Sequence, residues 1–217
     1  MPVFRSGEVA PAWCEMSFFE IVTLPRGSRQ SFPRRAPREK LIVCQGRGLI
    51  EADGTEVAAM AGSNLDLPGG AAGFVVSEVK EELVAVRLCG DWGEETGGSG
   101  VFAVDTSSAP ADSGDPVPYA KTTNFDSHYH DCDEYWVVWA GSGEAVSEGL
   151  AYDVGPGDCI ATAMGDHHDV PRVREPLRAV YFETTLRGAK RRGHLWEHTH
   201  GPARPAPDRL QDERPDR

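Results

Sequence analysis

The stretch HYHDCDEYWVVWAGSG, residues 128–143, decides both the fold and the chemistry that this sequence predicts. Its second half is a β-branched and aromatic run that ends at a Gly-x-Gly turn, which is typical of a β-strand. Its first half carries His128 and His130, and side chains two residues apart on a strand lie on one face. Glu134 follows four residues later and can return to that face. The stretch therefore predicts a cluster of ligands at the start of a strand.

The strand half of this stretch has a counterpart 95 residues (134 − 39) earlier in the chain. EKLIVCQGRG, residues 39–48, aligns without a gap with EYWVVWAGSG, residues 134–143. The same shift aligns further turn and core positions, namely Gly54 with Gly149, Gly62 with Gly157, Leu65 with Ile160 and Gly70 with Gly165. Glycines mark turns whose backbone geometry most residues tolerate poorly. We infer two copies of one structural unit.

Both copies are predicted to consist of short strands separated by glycine-rich turns, without amphipathic patterns of helix length between them. This organisation indicates an all-β sandwich or barrel. We predict a first unit in residues 1–95 and a second in residues 119–200. Residues 96–118, rich in Gly, Ser, Asp and Pro, are predicted to be a linker with one strand at its apolar residues 101–104, and the proline-rich, charged residues 201–217 a disordered tail.

A distant histidine pair, His167 and His168, can complete the ligand cluster. Three imidazoles and one carboxylate form a set that suits a divalent transition metal. A surface hairpin that happens to carry polar residues is the alternative, and Asp131 and Asp133 make it conceivable. The spacing, the repeat and the distant histidine together favour the metal site.

The first copy has lost the histidines. The 95-residue shift places Pro33, Arg35 and Gly73 at the positions of His128, His130 and His168, and only Glu39 keeps the carboxylate. One carboxylate cannot hold a metal by itself. We predict that the second copy carries the chemistry and that the first is a scaffold.

With these residues in view, the chain resembles a two-domain cupin, or bicupin. The two cupin motifs, G-x5-H-x-H-x3,4-E-x6-G and G-x5-P-x-G-x2-H-x3-N, are matched at most positions of the second copy, by His128, His130, Glu134, Gly141, Gly157, Gly165 and His168. The departures are Thr122, Ala163 and Arg172, which replace a glycine, the proline and the asparagine.

The resemblance implies an all-β fold of two tandem jelly-roll barrels, a degenerate N-terminal one and a metal-binding C-terminal one. It implies that His128, His130, Glu134 and His168 bind one divalent transition metal. Fe(II) is preferred, and Mn, Ni, Cu or Zn are alternatives. His168 fits the motif, whereas His167 is expected to face the other side of the strand. The resemblance also suggests that the barrels pack together and that homodimers form.

Two residues are predicted to act on the substrate. Glu134 is the predicted catalytic residue, because a carboxylate that leaves the metal can accept a proton from bound substrate. Trp136 shares the face of Glu134 and is predicted to line the substrate pocket. Further candidates for acid–base partners are Tyr119, Lys121, Tyr181 and Glu183.

The segment after the last core strand is rich in histidine and basic residues. His194, His198 and His200 could form a second metal site, but we favour a segment that packs on the barrel or a dimer partner. The basic run Lys190-Arg191-Arg192 could meet an anionic group, although such runs are more often solvated.

Composition narrows the function classes. The net charge is −12, from 22 Lys+Arg and 34 Asp+Glu, so the sequence lacks the excess of positive charge that binds nucleic acid or an anionic membrane surface. Five widely spaced cysteines without CxxC do not resemble a disulfide framework, and residues 1–8 lack a secretory pattern, so we predict a cytoplasmic protein.

Three functions are consistent with these features. The preferred one is a metal-dependent oxygenase acting on a small oxygen-rich or aromatic metabolite. The second is an isomerase, epimerase or lyase acting on a sugar or keto acid. The third is a small-molecule-binding protein without catalytic activity. The same ligands would serve the first two, so the sequence does not separate them.

Overall fold

The computed structural model describes residues 3–107 and 114–209, which form twelve β-strands in two sheets and almost no helix. The strands are β1 (Val3–Arg5), β2 (Met16–Leu24), β3 (Gln30–Pro33), β4 (Arg38–Ala52), β5 (Thr55–Met60), β6 (Asn64–Asp66), β7 (Gly73–Gly90), β8 (Ser99–Val104), β9 (Glu134–Ser147), β10 (Leu150–Val154), β11 (Asp158–Thr162) and β12 (His168–Glu183). Beyond them lie a short helix, α1 (Glu197–His200), and a 3-10 turn at Pro207–Arg209. No helix within these two described ranges could cross a membrane.

Each sheet is organised around two long antiparallel strands. The first sheet has the order β2-β7-β4-β5, with β3 added to β7 and β6 to β4. The second has the order β1-β11-β9-β12-β8, with β10 added to β9. Register shifts interrupt both the β4–β7 and the β9–β12 ladders. Such irregularities bend long strands and let a sheet close on itself. The predicted all-β fold of two jelly-roll barrels is confirmed.

Three hydrophobic clusters fill and join the barrels. One lies inside the first barrel, around Val43 and Phe74. A second lies inside the second barrel, around Val138 and Leu177. The third contains side chains from both sheets, including Phe19 and Val86 of the first and Tyr135, Val137 and Phe182 of the second. Burial of this shared cluster packs the two barrels against each other.

Two short strands complete the second sheet from outside its predicted limits. β1 pairs with β11, with Val3 opposite Ile160, although residues 1–95 were expected to form the first barrel alone. β8, which falls in the predicted linker, pairs with β12, with Val104 opposite Leu177. The domain limits themselves stay a prediction. Pairing of these edge strands depends on distant residues, so local sequence patterns do not reveal it.

Residues 201–209, the first part of the predicted tail, contact the second barrel, whereas disorder of the tail stays a prediction. The amide N–H of Ala206 donates to the carbonyl oxygen of Met164 at 3.2 Å. The guanidinium of Arg209 is buried, with Nη2 3.1 Å from Oδ2 of Asp133. A buried acid beside the ligand cluster therefore fixes the segment, which its composition could not show. Residues 210–217 lie outside the described ranges, as does the linker part 108–113.

The repeat is a repeat of backbone geometry as well as of sequence. Gly46 and Gly141, which the 95-residue shift aligns, have φ angles of 78° and 73°. A Cβ atom would lie 2.2 Å from the carbonyl oxygen of Glu82 at Gly46, and 1.9 Å from that of Pro176 at Gly141. Only glycine combines this φ with so close an approach of the neighbouring strand.

We expect Gly141→Ala to destabilise the protein by about 1–3 kcal/mol more than Gly149→Ala, because the first substitution adds a clash to the backbone cost. Gly149 is the matched control, since its φ is 74° and no atom lies within 4 Å of the added Cβ. The control alone should cost about 1–2 kcal/mol. Urea unfolding of the two variants measures the difference. Equal losses would show that the approach of Pro176 is not restrictive.

Candidate metal centre

The predicted ligands come from the first residues of two strands and from the segment before one of them. Glu134 begins β9, His168 begins β12, and His128 and His130 lie in the segment that leads into β9. An isolated β-bridge pairs His128 with His168. The amide of His128 donates to the carbonyl of His168 at 3.3 Å, and the reverse bond measures 3.0 Å. Directly opposed residues share one face, so both imidazoles point into the barrel.

The four side chains form a compact, buried cluster. One ligand atom from each of His128, His130, Glu134 and His168 lies within 4.8 Å of the others. Oε2 of Glu134 is 2.9 Å from Nε2 of His168 and 3.3 Å from Nε2 of His130. Every residue that was predicted as a ligand is therefore in one place.

Backbone carbonyl oxygens fix the orientation of all three imidazoles. Nδ1 of His128 lies 3.0 Å from the oxygen of Asp126, Nδ1 of His130 lies 3.0 Å from that of Gly193, and Nδ1 of His168 lies 2.9 Å from that of Asp166. Because a carbonyl oxygen only accepts, these contacts place a proton on Nδ1 and leave Nε2 as the nitrogen that can bind a metal once it is deprotonated. Histidines that bind metals through Nε2 are held in this way.

The atoms that converge at the centre contact one another but form no hydrogen bonds in the described ranges. Nε2 of each of the three histidines and Oε2 of Glu134 are buried and form no hydrogen bond within the described part of the chain. Buried polar atoms are rarely left unpaired. One divalent cation would satisfy all four atoms, so the residues present fit a metal. The donor set does not fix which metal it is.

The electrostatics of the cluster favour a bound cation. Burial opposes ionisation, but the neighbouring His130 and His168 hold the pKa of Glu134 well below its usual range. Burial alone would lower the pKa of His130, yet the carboxylates of Glu134 and Glu183 outweigh it and raise that pKa to about 9. Burial and the adjacent imidazoles hold the pKa of His128 well below its usual range. The carboxylates that attract a proton here would also attract a metal ion.

The ligands His128 and Glu134 face a cavity of about 400 Å³. Part of its wall is aromatic, with the ring centroids of Phe102, Phe125 and Trp136 5.4–5.8 Å apart. Trp136 thus lies where a substrate wall was predicted, although its role stays a prediction. The polar part of the wall is formed by Tyr181, Glu183, Arg192 and His194.

Sequence reasoning missed the position of His194. Its ring stacks on that of His128, with centroids 3.7 Å apart and an interplanar angle of 6°. Nδ1 of His194 lies 3.2 Å from Oδ2 of Asp126. A bridge between Tyr129 and Leu195 places this segment beside the ligands. No motif in the sequence signals that pairing.

The other C-terminal histidines do not join His194 in a second metal site. Nδ1 of His198 lies 2.8 Å from Oδ1 of Asp115, and His200 accepts a hydrogen bond from the amide of Trp196 at 3.1 Å. The expectation of a segment that packs on the barrel agrees with these contacts.

The remaining acid–base candidates divide into two groups. Tyr181 and Glu183 line the cavity. The hydroxyl of Tyr119 and Nζ of Lys121 instead donate to the buried carboxylate of Asp169, at 3.0 Å and 2.7 Å. Tyr119 and Lys121 therefore do not line the cavity, and both hydrogen-bond the buried carboxylate of Asp169.

Two neighbours of the ligands take no place in the cluster. His167 faces away, with Nε2 3.1 Å from Oδ2 of Asp115. The thiol of Cys132 is buried, and this burial raises its pKa, so it is not an activated thiolate.

A relative with matching length is known from Sinorhizobium fredii (strain NBRC 101917 / NGR234). It is the uncharacterized protein y4oW, which is 44% identical over 211 residues that cover 97% of each chain. No family model matches the sequence.

Solved structures resemble the fold at low sequence identity. AerE from Microcystis aeruginosa has a TM-score of 0.54 and 8% identity, over 76% of this chain and 86% of its own. An IolB-like protein from Salmonella typhimurium LT2 has a TM-score of 0.53 and 13% identity, over 84% and 88%. Protein PA5104 from Pseudomonas aeruginosa PAO1 has a TM-score of 0.54 and 12% identity, over 77% and 79%. These likenesses concern the fold alone.

Proposed function

We propose that this chain, which belongs to the family of the y4oW protein and has the cupin fold, is a metal-dependent enzyme acting on a small metabolite. The observation that carries the proposal is the convergence of four buried ligand atoms without hydrogen bonds among the described residues, in a cluster of which His128 and Glu134 line a cavity of about 400 Å³. A cavity of this size accommodates a small molecule. The preferred reaction is an oxygenation, with Fe(II) as the metal.

Three imidazoles and a carboxylate leave room for further ligands in an octahedral ion. Bound to these residues, a divalent metal would supply Lewis acidity toward a substrate oxygen and, as Fe(II), redox chemistry with dioxygen. The rings of His128, His130 and His168 are already oriented by their Nδ1 contacts, so little reorganisation is required.

The chain's own residues would bind and activate the substrate. The aromatic rings of Phe102, Phe125 and Trp136 give the cavity an apolar surface, which excludes water from the reacting groups. Glu134 contacts the imidazole of His168 through Oε2 and lines the cavity, where its carboxylate can accept a proton from the substrate.

A non-redox isomerase, epimerase or lyase is the second candidate, and one observation favours it. Glu183 is the register partner of Glu134 across the β9–β12 ladder and lines the same cavity. Its Oε2 accepts the amide N–H of Gly98 at 2.7 Å. Two carboxylates in different environments supply the proton acceptor and donor that such reactions need.

We also propose that the first barrel is a degenerate cupin domain that serves as a scaffold. Pro33 pairs with Gly73 in its β3–β7 ladder, at the positions where His128 pairs with His168 in the second barrel. Glu39, which aligns with Glu134, is bound by the guanidinium of Arg87. An internal cation therefore neutralises the one carboxylate that the first barrel retains.

The test combines metal analysis with turnover. Metal-free protein is reconstituted anaerobically with Fe(II), and its metal content is measured. It is then incubated with a panel of small aromatic and keto-acid metabolites while oxygen uptake and product masses are followed. Oxygen uptake that matches a mass gain supports the oxygenase, and conversion without uptake supports the second candidate. If the protein still contained no metal after reconstitution, both enzymatic candidates would be refuted and the non-catalytic binding protein would be favoured.

For the substrate found in this way, we expect Glu134→Gln to keep most of the metal and to lower kcat by about 100-fold or more, because the amide cannot accept the proton. Glu144→Gln is the control, since this residue lies on the same strand and its carboxylate is 3.9 Å from Nη1 of Arg172. Metal content and kcat are measured for both variants. An unchanged kcat in Glu134→Gln would remove its catalytic role.

A further inference from the structure

We propose that Arg192 binds the anionic group of the substrate, and hence that the substrate is a small carboxylate with an apolar, flat body. The inference rests on the proposed function in one respect, that the cavity beside the ligands is the substrate site. It assigns a role in specificity to a residue of the basic run at residues 190–192.

The three members of this basic run differ in their partners. Nζ of Lys190 lies 2.8 Å from Oε2 of Glu95, and Nε of Arg191 lies 3.1 Å from Oδ2 of Asp131. Arg192 forms no ion pair with any carboxylate of the described ranges. It is also the member that lines the cavity. A positive charge without a direct salt bridge to any described carboxylate, although within electrostatic reach of Glu95, therefore lies at the proposed substrate site.

Backbone contacts hold this guanidinium at the cavity wall. Nη1 of Arg192 donates to the carbonyl oxygen of Thr96. A guanidinium has five N–H donors, so this bond leaves others free for a ligand. The next residue, Gly193, contacts Nδ1 of His130 through its carbonyl oxygen at 3.0 Å. One segment thus fixes both the cation and a metal ligand.

The charges of the cavity favour a monoanion. Its lining carboxylates are Glu134 and Glu183, and a divalent ion would balance both. The charge of Arg192 then remains for the ligand. Guanidinium groups pair with carboxylates through two parallel hydrogen bonds, which adds orientation to the charge attraction. The same pairing would exclude neutral analogues of equal shape.

The aromatic wall defines the rest of the ligand. Phe102, Phe125 and Trp136 pack with centroids 5.4–5.8 Å apart and present ring surfaces to the cavity. Such walls bind flat apolar groups. An aromatic or short unsaturated carboxylate fits both features.

Benzoate and its neutral isostere benzamide test this inference by isothermal titration calorimetry. We expect the wild type to bind benzoate about tenfold or more tightly than benzamide. Arg192→Gln should lose this preference, whereas Lys190→Gln should keep it, because Lys190 is already paired with Glu95. Inorganic phosphate is included as a second anion.

The titrations are made on metal-free and on Co(II)-loaded protein. Four results would each overturn the inference. The wild type could bind no benzoate in either form, or bind benzoate and benzamide equally. The preference for benzoate could survive in Arg192→Gln, or phosphate could bind more tightly than benzoate. If the protein bound no Co(II) but preferred benzoate to benzamide in a way that depends on Arg192, the anion site would be supported and the metal enzyme refuted. Stoichiometric Co(II) without the preference would refute the anion site alone.

Discussion

His168→Ala is expected to lower the affinity of the protein for Co(II) by about 100-fold or more. The substitution removes one of four ligand atoms and the imidazole whose Nε2 lies 2.9 Å from Oε2 of Glu134. Loss of a residue that merely supports a metal ligand already costs about 10- to 100-fold, so loss of a ligand should cost at least as much. Competition between metal-free protein and a chelator of known affinity measures the change.

The adjacent histidine provides a matched control. His167 has the same side chain, but Nε2 lies 3.1 Å from Asp115 and Nδ1 lies 3.6 Å from Glu148, outside the cluster. We expect His167→Ala to change Co(II) affinity by less than about threefold. Thermal unfolding of both metal-free variants shows whether either effect comes from misfolding. Equal affinity of His168→Ala and the wild type would contradict the centre.

The sequence could predict the identity of the ligands because local geometry governs most of their arrangement. His128 and His130 lie before β9 rather than within a strand, but the isolated bridge at His128 keeps this segment extended, so the predicted i, i+2 relation still holds. The resemblance to the cupin motifs then selected His168 over His167. The bridge that sets His168 opposite His128 is a contact between residues 40 positions (168 − 128) apart. Its register depends on the whole sheet, so a short pattern does not specify it.

The residues of the cavity wall were harder to predict than the ligands, because most of them also depend on pairing between distant segments. Trp136 shares a strand face with Glu134, and this parity holds in the structure. His194 and Arg192 reach the cavity only because Leu195 pairs with Tyr129, which joins segments from different parts of the chain. Their composition alone suggested a solvated basic run. Pairing between distant segments therefore decides what surrounds the ligands.

The repeat predicts which ligand positions the first barrel has lost, but it does not predict the partner of the carboxylate that remains. The 95-residue shift predicts that the histidine positions are vacant, and Pro33 does oppose Gly73. It gives no indication of what compensates the retained carboxylate of Glu39. Arg87 aligns with Phe182 of the second barrel, a position that belongs there to the hydrophobic cluster between the barrels. The compensating cation thus comes from a strand position that has a different role in the other copy.

Arg87 is buried in a closed network. Its Nη2 lies 2.7 Å from Oε2 of Glu39, both side chains being at most 2% exposed, and its Nη1 lies 2.9 Å from Oε1 of Glu20. Nη2 also donates to the carbonyl oxygen of Pro33 at 2.6 Å. Burial opposes the charge, but the hydrogen bonds that Arg87 donates to Glu39 and Glu20 raise the pKa of Arg87. The guanidinium therefore stays charged, as the counterion of a buried carboxylate.

Arg87→Met is accordingly expected to lower the free energy of unfolding by about 3–5 kcal/mol, because it leaves Glu39 buried without a cation. The double variant Arg87→Met/Glu39→Gln should recover part of this loss, because the glutamine side chain carries no charge. Its carbonyl oxygen can still accept the backbone N–H of Ala36, which in the wild type donates to Glu39 at 3.2 Å. Arg178→Met is the control, because its pair with Asp105 is at the surface and worth less than about 1 kcal/mol. Urea unfolding measures all three. If the double variant were no more stable than Arg87→Met, the loss would come from packing, and Arg87 would not replace a metal as the counterion of Glu39.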